Sequence, residues 1–152
     1  MDEFALPDDL AFNRGRIADP QAFADDHGAA SWLFLCGDDF AAMEGGMSYA
    51  QVQVAVPQSE NIVSDPPVPL AVDFLREHLA ALDRLPRPTL VTCRTGPRSS
   101  AVVYLYAGLR AGASPEAVLA RAQADGAPFA GSAELEALVA EGLRRLADGE
   151  PG

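Results

Sequence analysis

The sequence predicts a single α/β domain with a mainly parallel central sheet and helices packed on it. Three observations carry this. Short apolar runs at 31–36 and 89–93 are strand-sized rather than helix-sized. Helix-period segments stand between and after them, the pattern of a layered α/β fold. At 152 residues and 49% hydrophobic, the chain can bury one real core and has no room for two.

Residues 1–12 read as a loosely held arm before a domain spanning 13–147, with 148–152 as a fraying tail. Asp19-Pro20 is an N-cap followed by proline at the first helical position, and Gly28 is the stop. Ser31–Cys36 (SWLFLC) is a buried strand ended by Gly37-Asp38-Asp39. Tyr49–Val56 alternates Val52, Val54 and Val56 with Gln51, Gln53 and Ala55, which predicts a half-buried strand. The proline-rich stretch 57–69 is a loop. Leu70–Leu82 places Ala71, Phe74, Leu75, Leu79 and Leu82 at helical spacing. Thr89–Cys93 is the third strand, and Ala101–Leu109, apolar on every face, is a buried helix. Ser114 and Ser132 cap two further helices, the second running to about Ala147.

Composition narrows function. A net charge of −11 argues against nucleic acid or an anionic membrane as partner, and makes a local pair of arginines informative. No apolar stretch approaches the ~18 residues of a membrane span. The acidic start MDEFALPDDL lacks the layout of a secretory signal. Two cysteines, Cys36 and Cys93, are too few for a disulfide scaffold, so a reducing, cytoplasmic setting is expected. His27 and His78 stand alone and no cysteine pair has ligand spacing, so neither metal nor cofactor is expected.

The chemistry concentrates in Cys93-Arg94-Thr95-Gly96-Pro97-Arg98-Ser99-Ser100. A cysteine that ends a buried strand at a helix N-terminus faces unpaired backbone N–H groups and a partial positive charge. These favour the thiolate, which is the nucleophilic form. The same N–H groups, with those of Arg94, Thr95 and Gly96, can cradle a tetrahedral oxyanion, and Gly96 lets the backbone bend around it beside Pro97. Arg98 can close on the anion with a planar fork. Ser99 or Ser100 can donate to the sulfur and ease its departure as a leaving group. Arg94 adds positive potential at the mouth.

This loop resembles the active-site loops of two cysteine-enzyme families. Tyrosine and dual-specificity phosphatases use His-Cys-x5-Arg-Ser/Thr, and single-domain rhodaneses often use Cys-x-x-Gly-x-Arg-Ser. The chain has Cys-x4-Arg, the rhodanese length, and Thr92 stands where the phosphatase histidine would be. The rhodanese strand end, its Gly-His-Ile-Pro-Gly-Ala segment and its late tryptophan motif are absent, the one tryptophan being Trp32. Arg110-Ala111-Gly112-Ala113-Ser114-Pro115-Glu116-Ala117 instead resembles the Gly-x-Ser-Pro-Glu-Glu-Ala step of small dual-specificity-type phosphatases. The phosphatase-like domain of beta-lactamase-hydrolase-like proteins, with a Cys-Arg-Ser-Gly-Thr-Arg-Ser loop, combines both traits. The resemblance covers residues 10–130, is specific at 93–100, and implies a protein-tyrosine-phosphatase-like fold. Cys36-Gly37-Asp38 departs from the Arg-Pro-Asp strand exit of that group.

The resemblance implies hydrolysis of a phosphate ester through a thiophosphate on Cys93, acting on a small phosphorylated substrate or a phosphoprotein. Such enzymes take their general acid from about thirty residues upstream, and Asp65 and Glu60 lie 28 and 33 residues before Cys93. Sulfur transfer through a Cys93 persulfide, with a sulfur-containing substrate, is the alternative. A non-catalytic module binding a phosphorylated partner is a third. Cys36 and Cys93 both end strands, and adjacent strands run about 5 Å apart, within disulfide reach. Cys36 is therefore a candidate redox partner for Cys93.

Overall fold

A computed structural model describes residues 4–147. Four strands form one parallel sheet in the order β1-β4-β2-β3: β1 is Leu10–Phe12, β2 Ser31–Phe34, β3 Gln58–Asn61 and β4 Thr89–Thr92. The helices are α1 Pro20–His27, α2 Asp38–Ala41, α3 Tyr49–Ala55, α4 Val72–Arg84, α5 Pro97–Ala111, α6 Pro115–Asp125 and α7 Ala133–Leu146, with a 3₁₀ turn at Pro128–Gly131. This is the single α/β domain with a parallel sheet that the sequence predicts.

The strand alternation sorts the core into two layers. Leu33, Leu35, Val91 and Cys93 belong to the larger cluster, which includes α5 and inward residues of α4, α6 and α7. Trp32, Phe34, Cys36 and Leu90 belong to the other, with Phe40 of α2 and Val52 of α3. Among the described residues, buried polar side-chain atoms are paired. Trp32 Nε1 donates to Thr92 Oγ1 at 2.8 Å, and Ser31 Oγ donates to Pro86 O at 2.7 Å.

The caps act as expected. Asp19 Oδ1 accepts from Ala22 N at 3.1 Å and Gly28 ends α1 in the left-handed region, while Ser114 and Ser132 each accept a backbone N–H from α6 and α7.

Three expectations are corrected. Residues 49–55 are a helix, not a strand. Ser48 Oγ accepts from Gln51 N at 3.3 Å while Gln51 Oε1 accepts from Ser48 N at 2.9 Å, a capping box that starts a helix. Val52 and Val56 are four apart, so both are buried on one helical face as readily as on one strand face, whereas Val54 is 82% exposed. The adjacent strand is β3, inside the stretch read as a loop. As the sheet edge it is polar (QSEN) and carries no apolar signal. Finally, Leu10–Phe12, placed in a loose arm, pair with Thr89–Val91, and Phe4 is buried against the core. The fraying tail at 148–152 lies outside the described residues.

Candidate functional site

Cys93 is the residue after β4, and Gly96 is the N-cap of α5. The three intervening steps turn the chain so that Gly96 N–H and Ser99 N–H donate to Cys93 Sγ at 3.1 and 3.3 Å. Ser99 Oγ lies 3.4 Å from the same sulfur. The turn requires φ +120° at Gly96, and a Cβ there would stand 2.4 Å from Asn13 O and 3.0 Å from Pro128 Cγ. Thr95 is exposed, while its carbonyl accepts from Gly15 N at 2.8 Å. Pro97 opens α5, where a missing N–H is harmless.

One residue that holds this loop escaped the sequence reading. Asn13, 1% exposed, follows β1 and brackets Cys93: its Nδ2 donates to Cys93 O at 2.9 Å and its Oδ1 accepts from Cys93 N at 3.2 Å. Ser99 Oγ donates to Asn13 Oδ1 at 2.9 Å, so the serine hydroxyl is shared between the asparagine and the sulfur. The signal was Asn13-Arg14-Gly15, an Asn-x-Gly turn directly after the short run Leu10–Phe12. Ser100 braces the loop from behind, accepting from Phe129 N at 3.1 Å and so seating the 3₁₀ turn that presses Pro128 on Gly96.

Cys93, Arg94, Thr95, Pro97 and Arg98 line one cavity of about 460 Å³. Its walls are Pro66, Pro69 and Leu70 from the proline-rich loop and Leu135 and Leu138 of α7, with Glu134 and Glu141 also contributing. The α7 wall was not foreseen, because only the tertiary fold returns that helix to the loop.

Both loop arginines reach the proline-rich segment. Arg98 Nη1 donates to Ser64 O and Val68 O, and among the described residues its Nε and Nη2 have no partner. Arg94 Nε donates to Asp65 Oδ2 at 2.9 Å and Arg94 Nη2 to Pro66 O at 3.1 Å. Asp65, 3% exposed, also accepts from Gly37 N at 3.3 Å through Oδ1. It is thus beside the loop but held by Arg94, and it does not line the cavity.

Glu60 is not brought to the site. It lies on β3, where Arg84 Nε and Nη2 grip its carboxylate at 3.0 and 2.6 Å. The edge position turns it toward α4, not the cavity. Cys36 is also misplaced for a disulfide. Phe34 pairs with Thr92, so Cys36 is one step further along its strand than Cys93, and the alternation puts the two thiols in opposite core layers. Burial, with the nearby Asp65 charge, pushes the Cys36 thiol up, leaving it a protonated core residue.

No family model and no curated protein matches the sequence. Solved structures do match in shape. Tk-PTP in its active form superposes with a TM-score of 0.66 at 19% identity, covering 91% of each chain. A phosphatase described as putative from Neisseria meningitidis gives 0.67 at 17% identity, over 90% of this chain and 96% of that one. A second, from Shewanella putrefaciens, gives 0.63 at 22% identity over 94% and 93%. At these identities the likeness establishes the fold, which is protein-tyrosine-phosphatase-like. Among the described residues no helix is long and apolar enough to cross a membrane.

Proposed function

We propose that the protein is a cysteine-dependent phosphatase. The observation that carries this reading is Cys93 at the base of a cavity, its sulfur receiving two backbone N–H groups while Arg98 lines the same space with Nε and Nη2 unpartnered among the described residues. The fold shared with phosphatases supports it.

In the reaction, Cys93 Sγ attacks phosphorus and the phosphorus–oxygen ester bond breaks, forming a thiophosphate. The loop amides and the Arg98 fork hold the non-bridging oxygens. Asp65, once parted from Arg94, takes a proton from solvent and passes it to the leaving oxygen. Water then attacks phosphorus, the S–P bond breaks, and inorganic phosphate and the thiolate are released. Ser99 Oγ, within reach of the sulfur, assists its departure. With two arginines and two glutamates around mostly apolar walls, the cavity suits one phosphate on an apolar body.

Turnover of an aryl phosphate, with release of inorganic phosphate, tests the reading. It should vanish in Cys93→Ser. Turnover of thiosulfate without phosphate release would instead identify a sulfurtransferase, and oxyanion binding with neither would identify a binding module.

A further inference from the structure

The proline-rich loop is strapped to the anion loop by both of that loop's arginines, and the Arg94 strap is an ion pair. Asp65 is the one charged residue between Ile62 and Ala71. Its side chain is 5% exposed against 23% for Arg94, and the pair is closed at 2.9 Å. Apart from Arg94, the Asp65 carboxylate accepts a single bond among the described residues, from Gly37 N at 3.3 Å. Arg94 is the residue directly after Cys93 and lines the cavity, with its guanidinium carbon 5.9 Å from the Phe40 ring centre. One guanidinium therefore stands between a buried carboxylate and the space an oxyanion would fill.

We propose that Arg94 is a second oxyanion ligand masked by Asp65, and that anion binding exchanges one partner for the other. An anion over Cys93 competes with the Asp65 carboxylate for the same fork. A carboxylate left buried without its cation is strongly unfavourable, so Asp65 takes up a proton or leaves its seat. Either change loosens the proline-rich loop from Arg94. The exchange makes the Arg94–Asp65 pair a coupling device: occupancy of the loop prepares the upstream carboxyl. Arg94 touches the anion, and Asp65 acts on anion affinity only through Arg94. The inference rests on the anion-binding reading above, but not on turnover.

The experiment is a double-mutant cycle on tungstate binding, read as protection of Cys93 from alkylation by iodoacetamide. In the full chain, Asp65→Asn keeps the shape and removes the competing charge. It should tighten tungstate about 5–10-fold, the scale of one charge-assisted hydrogen bond gained by the anion. In an Arg94→Met background, which keeps an unbranched stem and removes the charge, the same substitution should change affinity less than about 2-fold. Arg94→Gln serves as a second background should the Met variant be poorly folded by its thermal melt. Equal tightening in both backgrounds would mean that Asp65 acts on the anion directly, and would overturn the proposal. So would no tightening in either. If aryl phosphate is turned over while the cycle shows no coupling, the phosphatase reading stands and the exchange falls. If no variant is protected by tungstate, both fall.

Discussion

Gly96→Ala tests whether the 93–100 loop depends on a backbone that only glycine can adopt. The residue sits at φ +120°, ψ −28°, outside the regions open to L side chains. Strain of that kind costs about 1–3 kcal/mol. The added Cβ would also meet Asn13 O at 2.4 Å, a backbone atom that cannot yield without moving the asparagine that brackets Cys93. Displacing that network weakens at least one buried hydrogen bond, about 1 kcal/mol more. The sum is about 2–4 kcal/mol, or a fall in Tm of roughly 4–16 °C for a domain of this size. Gly112→Ala is the control. Gly112 has φ +69°, and a Cβ there would meet nothing within 4 Å, so it carries the conformational cost of about 1–2 kcal/mol and no clash. Differential scanning fluorimetry gives both melting temperatures, and tungstate protection of Cys93 reports the loop. Gly96→Ala should lose protection, and Gly112→Ala should keep it. Wild-type melting and protection in Gly96→Ala would refute the argument that the turn at Gly96 shapes the site.

Asn13→Ala leaves the Cys93 N–H and C=O buried without partners and should destabilise by about 2–4 kcal/mol in urea unfolding while speeding alkylation of Cys93; wild-type stability would show the bracket to be dispensable. His78 is buried between Ser64 Oγ at 2.7 Å and Phe74 O at 3.2 Å, and burial pushes its pKa down to about 4, against the Phe74 carbonyl bond. Its unfolded form binds a proton first, so stability is full above about pH 6.5 and falls by roughly 3 kcal/mol as pH drops toward 4. Asp125, held below its ordinary range by Arg121 and Tyr104, contributes loss only at lower pH, so His78→Gln should flatten the pH 6.5–4 limb; an unchanged limb would assign it elsewhere. Glu134 and Glu141 line the cavity, so an inositol polyphosphate should be turned over at least ~10-fold less efficiently than an aryl phosphate, and Glu134→Gln with Glu141→Gln should narrow the gap. Equal kcat/KM values in the unaltered protein would remove the glutamates from substrate selection.

Much of the site was legible because its parts are contiguous. Cys93 through Ser100 encode a strand end, a glycine turn, a proline at the first helical position and a buried helix, each a local preference that the fold respects. The two buried strands and the capped helices were legible for the same reason: Asp19, Ser114 and Ser132 bond to backbone three residues away. The α3 segment was misread because valines four apart satisfy a strand and a helix alike, and the Ser48–Gln51 capping box decides between them.

What only the tertiary structure decided are pairings between distant residues. β1 and β3 are short edge strands whose identity comes from their neighbours, Thr89–Val91 and Ser31–Phe34, not from their own composition. Asn13 reaches Cys93 across 80 positions, and Arg94 pairs with Asp65, one of two carboxylates that spacing alone left equivalent. Glu60 went to Arg84 because edge-strand geometry turned it toward α4, and Cys36 was separated from Cys93 by a single step of strand alternation. Local propensity reads the dihedral preferences of a few consecutive residues, whereas these contacts depend on how sheet register and helix packing bring separate segments together.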